Sequence, residues 1–254
     1  QSAAAEVGLS LFLTGGAMRD MLGGFPIRDL DFTTEGNALK LVKAVAKRAG
    51  AHVVSTDELR KSAELVFPGE VTVSIGMARE ERYTKPGSRP QVTPATIHED
   101  LRARDFTINS IALSLNRPSL GLMLDPNNGQ ADLERKELRA ISNYALYDDP
   151  ARLLRLIRFR VRFGFTIEER TRNHYDNVRQ ARMESHIGVK TLHRELCNMA
   201  DEPDPGLLVL PTHRVVKPPS ALPDARARIA RFFDIEDIAA DGDPAFSVFR
   251  VRGI

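Results

Sequence analysis

Little in this sequence points outward to a membrane or inward to a disulfide core. Cys197 is the one cysteine among 254 residues, which excludes an internal disulfide framework and fits a reducing compartment. No apolar run approaches the roughly 18 residues of a membrane span, and the N-terminus has no signal-peptide pattern. The expectation is therefore a cytoplasmic protein with no membrane partner. The six histidines have no metal-ligand spacing and Cys197 has no CxxC partner, which argues against zinc. A GxSxG elbow, a P-loop and a Rossmann glycine fingerprint are all missing. Net charge is only +2, so overall charge says little about partners. Internal repeats and low-complexity segments are absent, and nothing indicates an oligomeric state. The hydrophobic fraction of 42% is that of a globular protein with a sizeable core.

What is present concentrates in residues 11–31, LFLTGGAMRDMLGGFPIRDLD. An apolar β-type run breaks at Gly15-Gly16, continues as a short helix through Met18, Met21 and Leu22, and turns at Gly23-Gly24 and Pro26. It ends in Asp29-Leu30-Asp31. Side chains i and i+2 of a strand project from one face, so the two carboxylates stand together. Like charges that close repel unless a cation lies between them, and carboxylate oxygens suit Mg2+. A Gly-Gly turn opening a helix, with Arg19 in its first turn, offers backbone N–H groups and a guanidinium to an anion. A lone DxD is commonly a solvated turn. A phosphate cradle followed by two carboxylates is instead the equipment of phosphoryl or nucleotidyl transfer.

GGAMRD followed by DLD resembles the head of the class II tRNA nucleotidyltransferases (CCA-adding enzymes) and bacterial poly(A) polymerases, with Met18 where valine is usual. The resemblance covers about residues 8–200. A second match is residues 99–110, EDLRARDFTINS, similar to the family's EDLxxRDFTINA segment that contacts ribose and triphosphate. It implies nucleotide binding by Gly15, Gly16, Arg19, Arg104, Asp105 and Asn109. The residues alone also permit a capped helix with surface charges. The family places a third acid five residues before the Arg of its "AR" pair; here that position is Ser74. Glu70, Glu80 and Glu81 are the candidates to stand in for it.

Around these motifs the pattern predicts a small α/β head. Residues 37–50 read as an amphipathic helix with Leu39, Val42 and Ala46 on one face and Gly50 as a stop. His52-Val53-Val54 reads as a short strand, and residues 64–67 and 71–77 as a hairpin around Pro68-Gly69. Residues 79–94 read as a loop. Asp125–Gly129 is a turn leading into a segment similar to the family's flexible GxxDLxxxxLR, ending at Arg139, where a hinge between head and neck is expected.

Asp148 and Asp149 fall where a helix N-cap belongs and Pro150 at the first helical position. The resemblance adds a second role through the family's EDPxRxLR segment. Asp149 and Arg152 would imitate a base partner and select C or A over U and G, with Arg155 also binding nucleotide. From residue 151 to 182 there are nine arginines and three acids, a local net of +6, which fits a polyphosphate backbone. Arg158 and Arg162 are the expected RNA contacts. Residues 188–199 read as a further helix whose Glu195-Leu196 matches the family's neck, whereas Lys190-Thr191 replaces its usual Glu-Arg.

The fold expected is α+β: a polymerase-beta-like nucleotidyltransferase head with a small mixed sheet (residues 1–140), a helical neck (141–205), and a C-terminal segment unlike the family (206–254). In that last segment a short strand, a proline-rich turn, a helix near residues 225–233 and a polar end are expected, and residues 210–216 resemble an unrelated bacterial family. The chain starts almost at its first strand, which suggests that an upstream helix was trimmed. The implied reaction adds CMP or AMP from CTP or ATP to the 3′ end of tRNA or another RNA, with Asp29 and Asp31 holding Mg2+. Poly(A) addition shares every motif quoted. Because of Ser74, an inactive nucleotide- or RNA-binding protein is the alternative from another class.

Overall fold

The computed structural model describes residues 1–202 and, further on, the backbone of two strands at 235–239 and 247–251. Contacts divide the chain into two compact units, residues 1–84 with 89–141, and residues 85–88 with 142 onward.

The first unit opens with α1 (Ser2–Glu6), so a short helix does precede the first strand. Then come β1 (Ser10–Thr14), α2 (Gly15–Gly23), β2 (Leu30–Glu35), α3 (Ala38–Ala49) and the strands β3 (His52–Asp57), β4 (Ser62–Phe67) and β5 (Val71–Met77). A ribbon of β6 (Arg79–Arg82) and β7 (Gln91–Pro94) leads to α4 (Ile97–Arg102), β8 (Ala112–Ser114), β9 (Met123–Leu124), α5 (Gly129–Arg135) and β10 (Glu137–Leu138). The central sheet has the order β3-β4-β5-β2-β1-β8-β9. β2 and β5 run parallel, joined by a crossover through α3, and the other neighbours are antiparallel.

The α3 helix forms where its caps require. Asn37 accepts a hydrogen bond from the Leu39 N–H at 3.1 Å, and Gly50 closes the helix in the left-handed conformation. Its buried face is Ala38, Leu41 and Val42, with Leu39 and Ala46 only partly covered, a slight rotation from the face expected. These side chains pack on Ala63, Leu65, Val73, Ile75 and Met77, the apolar side of β4 and β5. Period-2 alternation then places Ser74 and Glu64 on the opposite face, with Asp31.

Two expectations change. Residues 79–82 and 91–94 pair as a ribbon, leaving only 83–90 as the expected loop, because charges at the ribbon's start find partners inside the protein. Glu81 accepts from Arg60 and Arg79, each at 2.8 Å, and from the Tyr83 hydroxyl at 2.8 Å. After the expected turn at residues 126–127, the segment expected to be flexible is a helix. Asp125 caps α5 by accepting from the Gly129 and Gln130 N–H groups at 2.7 and 2.9 Å. Asp132, 1% exposed, then binds Thr107, Arg135 and Arg139 and fastens α5 to the head. A Cβ at Gly129 would lie 2.1 Å from the Thr107 carbonyl oxygen, so only glycine fits there.

The second unit contains α6 (Ala145–Asp148), α7 (Ala151–Phe163), β11 (Thr166–Ile167), α8 (Glu169–Gln180) and α9 (Val189–Ala200). Ala151 and Leu154 of α7 pack on Leu192, Leu196 and Met199 of α9. The helix start lies one residue later than expected. Asp148 closes α6, Pro150 takes the N-cap position of α7 without a side-chain cap, and Asp149 Oδ1 accepts from the Ala151 N–H at 3.2 Å. Within the segment expected as a polar end, β12 (Ile235–Ala239) and β13 (Ser247–Val251) pair antiparallel. The strand, proline-rich turn and helix expected between residues 206 and 233 lie outside the described residues. No helix among the described residues is long and apolar enough to cross a membrane.

Candidate active site

The turn from β1 into α2 is built on Gly15, whose φ of +63° strains any residue with a side chain. A Cβ there would come within 3.1 Å of Arg104 Nη1 and 3.2 Å of Asp31 Oδ2. Gly16 donates its N–H to Asp31 Oδ2 at 3.1 Å. The glycine pair therefore lets the β1–α2 backbone, Asp31 and Arg104 converge on one point.

Asp31 and Asp29 differ in environment. Asp29 is exposed and has no hydrogen-bond or ion-pair partner among the described residues. Burial lifts the Asp31 carboxyl above the usual carboxylate range, and the charge of Asp29 adds to this. Arg104, the Gly16 N–H and Arg19 oppose it. A carboxylate that is costly to ionise, beside an unpartnered one, fits a divalent cation, which would relieve both. No group of three or more His, Cys, Asp or Glu is poised for a metal among the described residues. The sheet register explains why: Ser74 stands directly opposite Asp31 on β5. Glu81, one of the acids expected to replace it, is spent on Arg60 and Arg79.

The second motif folds beneath this point. A capping box joins Thr96 and Glu99 and starts α4. Arg104 then reaches Asp100 through Nε at 3.0 Å and Nη2 at 2.7 Å, Thr33 Oγ1 at 3.1 Å and the Asn109 carbonyl at 3.2 Å. Arg19 is only 4% exposed. Its Nε lies 2.8 Å from Asp20 and its Nη1 2.8 Å from Asn109 Oδ1. Asn109 Nδ2 in turn donates to Asp105 Oδ1 at 3.0 Å. The structure thus brings Gly15, Gly16, Arg19, Asp31, Arg104, Asp105 and Asn109 into one network, with Arg19 enclosed under the turn rather than presented to solvent. Asp100 and Thr33 belong to this network and were given no role from the sequence. The i,i+4 spacing of Asp100 and Arg104 was the available signal.

In the second unit, Arg152 Nε lies 3.7 Å from Asp149 Oδ2, so the two expected base-reading residues are together. Burial raises the Asp148 carboxyl against the influence of Arg152. Arg155 Nε lies 3.0 Å from Glu195, which is 2% exposed. Arg158 departs from the RNA-contact expectation. Its guanidinium is turned inward between Glu195 at 3.6 Å and Glu202 at 3.5 Å, because it follows Leu154 by one turn on the packed side of α7. Arg162 lies with its guanidinium 4.9 Å from the Phe163 ring centre, while Arg160, Arg170, Arg172 and Arg182 are exposed.

A mixed sheet with a Gly-Gly turn, a DxD and a helical second unit defines a nucleotidyltransferase head and neck. The chain belongs to the family of the poly A polymerase head domain, whose model matches residues 11–139. It is 39% identical over 170 residues to an A-adding tRNA nucleotidyltransferase of Halalkalibacterium halodurans, covering 67% of this chain and 40% of that protein. It is 38% identical over 152 residues to a CC-adding tRNA nucleotidyltransferase of Deinococcus radiodurans, covering 60% of this chain and 40% of that protein. A solved tRNA nucleotidyltransferase complexed with a primer tRNA and an incoming ATP analog matches with a TM-score of 0.68 and 32% identity, over 80% of this chain and 56% of that one. The chain thus spans less than half the length of these two relatives.

Proposed function

We propose that this chain carries the nucleotidyl-transfer centre of a tRNA nucleotidyltransferase, joining CMP or AMP from CTP or ATP to the 3′ end of tRNA. The observation that carries the reading is the convergence of Asp31, the Gly15-Gly16 turn and Arg104, with the unpartnered Asp29 two residues away. Asp29 and Asp31 would hold Mg2+. When bound, such ions supply the positive charge that in-line displacement at a phosphate requires. The Gly15-Gly16 turn admits the triphosphate close to the backbone, and Arg104 adds positive potential beside it. Asp105 and Asn109 orient the sugar, and Arg19 holds Asn109 in place from beneath. Asp149 accepts from the exocyclic amine shared by C and A, with Arg152 donating beside it. Arg162 and the exposed arginines of the neck meet the RNA backbone.

The test is incorporation of each labelled nucleotide, singly and together, into tRNA lacking its 3′ CCA, in Mg2+. C then A establishes CCA addition; A alone or CC alone establishes a partial activity like those for which the two relatives are named. Long A tracts on many RNAs indicate poly(A) polymerase. Ser74 favours a second reading, a nucleotide-binding protein without turnover, which nucleotide binding with no incorporation would establish.

A further inference from the structure

Of the aromatic side chains among the described residues, only Tyr144 and Tyr147 are exposed, at 70% and 44%. The other two tyrosines are engaged: the Tyr83 hydroxyl donates to Glu81 at 2.8 Å, and the Arg179 guanidinium lies 5.7 Å from the Tyr175 ring centre. The exposed pair brackets the single turn α6. Ala145 and Leu146, at 3% and 0% exposure, anchor that turn without them. Neither tyrosine side chain makes a hydrogen bond or ring contact among the described residues. Side chains three apart on a helical turn are neighbours, so two open rings stand side by side. Their place is specific. α6 packs beside α7 and α8, and Arg152 Nη1 donates to the Ala145 carbonyl at 3.4 Å, which ties the turn to the Asp149–Arg152 pair. α8 carries the exposed Arg170 and Arg172.

We infer that Tyr144 and Tyr147 form a stacking platform for the unpaired 3′ nucleotides of the RNA substrate. The inference rests on the reading of this chain as acting at a tRNA 3′ end. Exposed aromatics set among arginines suit a single strand of nucleic acid: the cations meet its backbone and the rings take its bases. The rings do not extend into an apolar patch of the kind a protein partner covers, because the preceding Ser142 and Asn143 are polar and exposed. Asp149 and Arg152 meet the edge of the incoming base and read its identity. The RNA end needs a different kind of seat, because each addition changes the base that arrives there. Stacking meets that need, since every base offers a π-face whatever its edge. A tyrosine ring supplies it with only two side-chain torsions to fix.

The test is binding of the full chain, by fluorescence anisotropy, to two 5′-labelled RNAs: a tRNA ending in its unpaired 3′ CC, and the same tRNA trimmed to the base-paired stem. The proteins compared are wild type, the double variant Tyr144→Ala/Tyr147→Ala, and the double variant Tyr144→Phe/Tyr147→Phe. Both rings are exposed, so circular dichroism melts of the three should coincide. The alanine pair is expected to weaken binding of the CC-ending tRNA at least about fivefold, the low end of stacking on one base. It should leave the trimmed tRNA and the salt slope of binding unchanged, because no phosphate contact is removed. The phenylalanine pair keeps the rings and should bind as wild type does. Wild-type affinity of the alanine pair for the CC-ending tRNA, an equal loss on both RNAs, or a loss shared by the phenylalanine pair overturns the inference. A raised KM for CTP or ATP with RNA affinity unchanged also overturns it, by assigning the rings to the incoming base. If wild type binds neither tRNA, the reading on which the inference rests falls as well.

Discussion

Asp31 and Ser74 are register partners across the parallel seam between β2 and β5. The seam puts Asp31 beside a hydroxyl, so a second carboxylate is not immediately available on that side. Asp31 feels the charge of Asp29, which lies one residue before β2 begins, and accepts from the Gly16 N–H at 3.1 Å. These constraints make its charge costly without a cation and useful with one.

Asp31→Asn keeps the shape and removes the charge. Nucleotide incorporation is expected to fall by at least about a hundredfold, the scale of removing a key electrostatic group from a reacting centre. The folded apo protein should lose no stability at neutral pH. A raised carboxyl pKa means that the folded state favours the neutral form, which asparagine imitates. Turnover and thermal melting of the same preparation check both halves. Wild-type turnover would remove Asp31 from the reaction.

Much of this site was legible because strand and cap rules act locally. Asn37 and Gly50 bound α3 as cap chemistry requires, whereas of the two DxD acids Asp31 lies in β2 and Asp29 one residue before it. What escaped depended on partners distant in sequence. Arg19 has the composition of an anion ligand, yet Asn109, far along the chain, turns it inward. Residues 79–94 are rich in charge, proline and glycine and so read as loop, but Arg60 from the β3–β4 connection neutralises Glu81 and the ribbon forms.

Glu81 gives a pH dependence with a definite sign. Burial would raise its pKa, but hydrogen bonds from Arg60 and Arg79 outweigh this and hold it at about 2 against an ordinary 4.5. A depressed carboxyl pKa contributes stability above the unfolded value, and that stability is lost as pH falls from 4.5 toward 2. The difference in unfolding free energy between wild type and Glu81→Gln should therefore be large at pH 7, up to about 3 kcal/mol. It should shrink progressively below pH 4.5. Denaturant titrations at pH 7, 4.5 and 3 measure it, and a pH-independent difference would contradict the ion-pair account.

Arg158 and Arg162 share helix α7 and a positive charge but should respond differently to replacement. Burial disfavours the charged Arg158 guanidinium, and Glu195 and Glu202 offset that cost. Arg158→Ala removes one side of a buried cluster and is expected to destabilise the chain by about 3–5 kcal/mol. Arg162→Ala should leave melting nearly unchanged and lower the salt dependence of RNA binding by roughly one unit of slope. Thermal melts and RNA titrations at several salt concentrations separate the two. A salt-slope change in Arg158→Ala without loss of stability would restore it as an RNA contact.

Asp149 tests whether protein side chains choose the nucleotide. Its Oδ1 is fixed by the Ala151 N–H, and Oδ2 faces Arg152 at 3.7 Å. That hydrogen bond leaves the pair oriented before any base arrives. A carboxylate accepts from the amine of C or A but meets only carbonyl oxygens at the corresponding positions of U and G, where an acceptor facing an acceptor is repelled. Asp149→Ala should therefore reduce incorporation of C and A and leave U and G as poor as before, narrowing the preference by about 2 kcal/mol, or roughly thirtyfold. Loss of the hydrogen bond from the Ala151 N–H adds about 1 kcal/mol of destabilisation. Asp149→Asn is the companion variant, because it retains an acceptor for the Ala151 N–H while placing an amide donor before the base. If the preference for C and A over U and G survives in both variants, Asp149 serves only to hold the Ala151 N–H and the base is read elsewhere.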